Sequence, residues 1–86
     1  MNKSAFDEQA VIAAIAAELA LAPTALRREG RFAEDYAIDS LDFVRLVMAV
    51  EEAAGVRIED KAAVQALTVG ALIDLARRSP PRETKK

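Results

Sequence analysis

The chain predicts an all-α fold: a small four-helix bundle of three longer helices plus one short third helix, with a long loop between the first two. Three observations lead there. Apolar residues recur at helical spacing in three segments, Val11 to Leu19, Leu41 to Ala54 and Val69 to Ala76. Start and stop signals bound these segments, among them Asp39-Ser40, Thr68, Gly55 and the Pro80-Pro81 pair. No alternating strand pattern or internal repeat occurs, and 86 residues, 52% of them apolar, suffice for one small core.

Ser4-Ala5-Phe6-Asp7 is a capping start, and Asp7 and Glu8 suit the positive end of a helix. Val11, Ile12, Ile15 and Leu19 follow among alanines, which favour helix and permit close packing. The first helix is therefore expected from about residue 5 to residue 20. Pro23-Thr24 ends it. Residues 21–38 then form a long connection containing Gly30, with Leu26 and Phe32 as anchors into the core. Loops of this length in so small a domain often carry function.

The second helix is expected from Asp39 or Ser40 to Ala54, with Gly55 as its C′ residue. Val56-Arg57-Ile58 reads as an extended link, and Asp60 as the cap of a brief third helix over Lys61 to Ala66. Thr68 caps the last helix, in which Val69, Leu72, Ile73 and Ala76 line one side and Arg77 and Arg78 complement the negative end. Ser79-Pro80-Pro81 stops it. The helical domain is expected over 1–78 and a solvated, disordered tail over 79–86.

Composition removes several function classes. There is no cysteine, hence no disulfide and no cysteine-based zinc site. There is no histidine either, so the usual general base and every Ser-His or Cys-His nucleophile are missing. Chemistry at this protein calls for a catalyst on another molecule. The N-terminus shows no export signal and no apolar run approaches a membrane span, so a cytoplasmic protein without membrane insertion is expected. Residues 34–60 carry eight acidic side chains against two basic ones, Arg45 and Arg57. Such an acidic middle opposes nucleic acid as the main partner and favours basic protein surfaces. Its plainer reading is a solvated face.

At 100° per residue the second helix sorts into two apolar stripes. Phe43, Leu46, Val47, Val50 and Ala54 form an ordinary core stripe. Leu41, Val44 and Met48 form another, roughly 130° away, flanked by Arg45, Glu51 and Glu52. Either the 21–38 loop covers this second stripe, or it is an exposed docking patch with a charged rim. At the helix start, Ser40 reads first as a capping residue. If Asp39 caps instead, Ser40 occupies N1 with its hydroxyl free, and Asp42 falls at N3. A helix N-terminus tolerates a phosphodiester on such a serine.

Extended segments carry a family resemblance. Glu34-Asp35-Tyr36-Ala37-Ile38-Asp39-Ser40-Leu41-Asp42 resembles the Glu-Asp-Leu-Gly-x-Asp-Ser-Leu-Asp segment of acyl carrier proteins. Leu46-Val47-Met48-Ala49-Val50-Glu51-Glu52 resembles their Leu-Val-Met-x-Leu-Glu-Glu continuation. Ile58 and Asp60 match an Ile-Pro-Asp element, and Thr68 to Asp74 the opening of the last helix. The register is free of gaps from about Leu19 to Leu75.

The resemblance implies a discrete, non-catalytic, monomeric carrier. Ser40 would receive 4′-phosphopantetheine from coenzyme A through a separate Mg²⁺-dependent holo-carrier synthase, a phosphopantetheinyl transferase whose recognition and metal assistance involve Asp39. The chain itself would bind no metal. The arm would hold acyl groups as thioesters for acyl-transfer, ketosynthase-type or acyl-activating enzymes of fatty-acid, polyketide or related specialised biosynthesis. Leu41, Asp42, Val44, Arg45, Met48, Glu51 and Glu52 would dock partners. Phe43, Leu46, Val47, Val50 and Ile58 would line the space that shelters an acyl chain. Departures from the pattern at Tyr36-Ala37, Arg45, Glu59, Lys61, Ala62 and Val64 reshape the recognition surface and suggest a specialised carrier with dedicated partners. Two other readings stay open: an aminoacyl or peptidyl carrier, and a helical interaction module that is never modified. A metal-binding role for Asp35, Asp39 and Asp42 is poor, because their spacing lacks the alternating ligands and central glycine of a calcium loop.

Overall fold

Four helices order the described residues: α1 (Glu8–Glu18), α2 (Ser40–Ala54), α3 (Asp60–Ala63) and α4 (Val69–Arg77), with a single 3₁₀ turn among those residues at Pro23–Ala25. The computed structural model describes residues 6–82, so Ser4, proposed above as part of a capping start, lies outside the described residues.

Asp7 caps α1: its side chain accepts from the Ala10 amide at 3.1 Å. The helix is shorter at both ends than the residue 5 to 20 expected. Its end is a Schellman motif, in which the Leu21 amide donates to the Ala16 carbonyl and the Ala20 amide to the Ala17 carbonyl. Ala20 takes the left-handed position that this motif requires, at φ 59°. Helical periodicity carries no mark of such an ending when alanine replaces glycine there.

The 19–39 connection holds one 3₁₀ turn and is otherwise irregular, fixed by turns of its own and by bonds to residues 67–70. Gly30 is buried against the Tyr36 ring, and a Cβ there would run into that ring. Phe32 is buried, as anticipated, while Leu26 is only partly so. The Phe32 amide donates to the Leu67 carbonyl at 3.0 Å and the Val69 amide to the Gly30 carbonyl at 3.0 Å, which fastens the loop across the α3–α4 link.

α2 ends as expected at Gly55, left-handed at φ 67°. α3 departs from expectation. It spans only Asp60–Ala63, and its N-cap is Glu59 with no side-chain cap bond, instead of a helix over Lys61 to Ala66 capped by Asp60. The chain leaves helix at Val64 because its continuation must deliver Ala66 into the core and Leu67 to the loop. Thr68 caps α4 through its hydroxyl, which accepts from the Ala71 amide at 3.1 Å.

The core gathers the inner faces of α1, α2 and α4. Val11, Ile15, Leu46, Val50, Leu72 and Ala76 have no exposed surface. After α4 the chain doubles back instead of leaving the fold at residue 78. The Ser79 hydroxyl donates to the Leu75 carbonyl, the Arg57 amide to the Pro80 carbonyl and the Arg82 amide to the Gly55 carbonyl. Residues 79–82 of the expected tail thus lie against the α2–α3 link; residues 83–86 lie outside the described part. Among the described residues no helix is long and apolar enough to cross a membrane.

Candidate carrier site

Asp39, and not Ser40, caps α2. Its Oδ1 accepts from the Asp42 amide at 2.9 Å, and its carbonyl accepts from the Phe43 amide at 2.9 Å. Ser40 therefore falls at N1. Its side chain is exposed and makes no hydrogen bond among the described residues. The amides of Ser40 and Leu41 head the helix, where a helix supplies no acceptor for them, so the field around the hydroxyl favours an anion. These features fit a serine that bears a phosphodiester.

The loop before the cap is held open as a platform. The Asp35 carboxylate accepts from the Arg31 amide at 2.8 Å, Arg31 pairs with Glu34 at 2.8 Å, and the Ile38 amide donates to the Phe32 carbonyl. Ala37 sits at φ 54°, a left-handed position that turns the chain into Asp39. Of the three aspartates weighed as a metal set, two thus spend an oxygen on backbone amides.

The loop leaves the second stripe of α2 uncovered. Leu41 is 62% exposed, Val44 53% and Met48 59%. Asp42, Arg45 and Glu52 stand exposed around them. Glu51 differs: it is partly buried, and its Oε2 accepts from the Ile58 amide at 2.7 Å. That carboxylate is a tie between α2 and the following link, so the rim of the stripe rests on its neighbours.

Beside Ser40 opens a cleft of about 400 Å³. Arg31, Phe32, Ala33, Glu34, Ile38 and Asp39 form its loop side, Ser40 and Phe43 its α2 side, and Val64, Ala66 and Leu67 the opposite wall. Of the five residues suggested as acyl-pocket lining, Phe43 alone reaches this cleft. Leu46, Val47, Val50 and Ile58 are buried in the core, where close packing already fills the space around them.

The sequence marks Val64 only as a departure that reshapes the recognition surface, and it does not mark Leu67 at all. They are 62% and 66% exposed, apolar, and next to the serine, although their separation in sequence from Ser40 hides that neighbourhood. Val64 alone carries a sequence signal, in that it falls off the face that Ala63 and Ala66 share in a helix running through Ala66.

A comparison with protein families agrees with this geometry. The family model described as the phosphopantetheine attachment site matches residues 9–76, from the first turn of α1 to the last turn of α4. Proteins of that family carry 4′-phosphopantetheine as a covalently attached group.

Proposed function

The chain belongs to the phosphopantetheine attachment-site family, and from that premise we propose that it is an acyl carrier with its arm on Ser40. The observation that carries the assignment is a solvent-facing, unbonded hydroxyl at N1 of α2, bordered by an apolar cleft on one side and an uncovered apolar stripe on the other.

Loading is a transfer onto Ser40. Its oxygen would bond to the phosphorus of coenzyme A that is esterified to pantetheine. The pyrophosphate P–O bond would break, adenosine 3′,5′-bisphosphate would depart, and the hydroxyl proton would pass to the transferase. The attached group supplies a terminal thiol that holds acyl groups as thioesters. The protein's own residues position and present. Asp39 holds the first turn of α2 and leaves its Oδ2 without a hydrogen bond among the described residues, available to the transferase and its Mg²⁺. Leu41, Val44 and Met48 offer partners a patch that costs nothing to expose, since it is bare already. Asp42 and Glu52 steer basic partner surfaces, which speeds encounter without tightening the complex. That suits a carrier that must be released.

The acyl class of cargo, for fatty-acid, polyketide or related enzymes, follows from Asp42 after Ser40-Leu41 and from an apolar cleft rather than a polar one. Arg45 on the docking face, with Lys61 and Val64 exposed near α3, supports dedicated partners in a specialised pathway. The test is mass spectrometry after incubation with coenzyme A, Mg²⁺ and a promiscuous phosphopantetheinyl transferase. The wild type should gain one phosphopantetheine and Ser40→Ala none. Absence of an adduct with several transferases overturns the proposal.

A further inference from the structure

Two aromatic rings stand between the cleft and the core on the α2 side. Phe32 and Phe43 meet with centroids 5.6 Å apart and planes tilted by 56°, a favourable aromatic geometry. Phe32 is pinned: only 3% exposed, it donates its amide to the Leu67 carbonyl and accepts at its own carbonyl from the Ile38 amide. Phe43 is partly buried, lines the cleft with its outer side and packs on the core with the rest. One turn further along the same face of α2, Leu46 is fully buried and takes no part in the cleft. Neither do Val50, Leu72 or Ile73. The apolar cleft beside Ser40 and the apolar core therefore share a wall, in which the ring pair forms the part next to α2, beside Ile38 and Ala66.

Resting on the carrier reading above, we propose that Phe43, braced by Phe32, is a stop that sets the length of acyl chain this protein can shelter, and that the sheltered cargo is short. A chain folded back toward Ser40 finds apolar surface on Phe43, Ala66, Val64 and Leu67. The last two are exposed large apolar side chains that cargo would cover. Going deeper requires the rings to part and a close-packed core to admit methylenes, and cores resist even one. Beyond the first few carbons a chain is left in solvent or handed to the partner enzyme.

The experiment loads the full chain at Ser40 with pantetheine amides of butanoyl, octanoyl and hexadecanoyl groups, each labelled with ¹³C at the terminal methyl. In the wild type the butanoyl methyl should show a ring-current shift and an NOE to Phe43, while the longer termini keep solvent-like shifts. Phe43→Ala should bring the octanoyl methyl inside, with NOEs to Leu46 and Val50. It should also slow hydroxylamine cleavage of the matching octanoyl thioester severalfold. Phe43→Leu keeps most of the core volume without the ring and serves if the alanine variant does not fold; it should shift the octanoyl methyl in the same direction by less. An octanoyl methyl that already contacts Leu46 or Val50 in the wild type overturns the stop, as does a folded Phe43 variant with unchanged shifts or a butanoyl methyl that stays solvent-like. Failure of Ser40 to gain any mass strikes the carrier reading instead, so the two failures are told apart.

Discussion

Ala37 holds a left-handed backbone three residues before the candidate attachment serine. For a residue with a Cβ that region costs about 1–2 kcal/mol, whereas glycine enters it freely but loses roughly 0.4–1 kcal/mol of chain entropy on folding. Ala37→Gly should therefore stabilise the protein by about 0.5 kcal/mol, read as a higher urea midpoint at unchanged slope. Asp39 separates capping from recognition. Asp39→Ala should cost about 1 kcal/mol, because the Asp42 amide loses its acceptor. Asp39→Asn still caps and should melt like the wild type. If the second carboxylate oxygen serves the transferase, Asp39→Asn should nonetheless load slowly in a timed mass-spectrometric assay. Equal loading rates would confine this residue to capping.

α2 has one face in the core and one bare, and its acidic pair divides between a bonded and an exposed carboxylate. Glu51 bonds the Ile58 amide across the helix end. Hydrogen bonds to charged groups contribute about 1.5–3 kcal/mol, so Glu51→Ala should cost about 1.5 kcal/mol in chemical denaturation. Glu52 is exposed and has no ion-pair partner among the described residues. Glu52→Ala should leave stability within about 0.5 kcal/mol and slow association with a basic partner, an effect that shrinks as salt screens the charge. The uncovered stripe behaves similarly. Val44 is more than half exposed, so Val44→Ser loses little packing and should also stay within about 0.5 kcal/mol in denaturation while weakening partner capture in a binding assay.

Across the whole molecule, a charged clasp ties the long loop to both terminal helices. Arg28 grips both oxygens of Asp74 at 3.0 Å and lies near Glu8, which also pairs with Arg77; the Arg77 guanidinium caps the Phe6 ring at 4.6 Å. The partners are about half exposed, and exposed pairs contribute little. Arg28→Ala should cost less than about 1 kcal/mol. By contrast, Leu72 has no exposed surface and sits in the centre of the core. Leu72→Ala should cost about 2–5 kcal/mol, a large share of the roughly 4–13 kcal/mol expected for a chain of this size. Urea melts of the two variants decide between clasp and core as the source of stability.

Local sequence settles the helical class, the central and final helices, the caps at Gly55 and Thr68, and the place of Ser40 at the start of α2, because caps and the 3.6-residue period are local physics. It leaves Asp39 and Ser40 as equal candidates for the N-cap, and the fold chooses Asp39. The sequence also separated the two stripes of α2. It did not disclose which stripe lay bare: whether 19–39 crosses Leu41, Val44 and Met48 depends on where Phe32 and Gly30 anchor, and those anchors are bonds to residues after α3. For the same reason α3 ended early, residues 79–82 turned back onto the α2–α3 link, and Val64 and Leu67 arrived beside Ser40. Each outcome hangs on contacts between segments far apart in the chain, and only the folded packing chooses among the arrangements that local preference leaves equal.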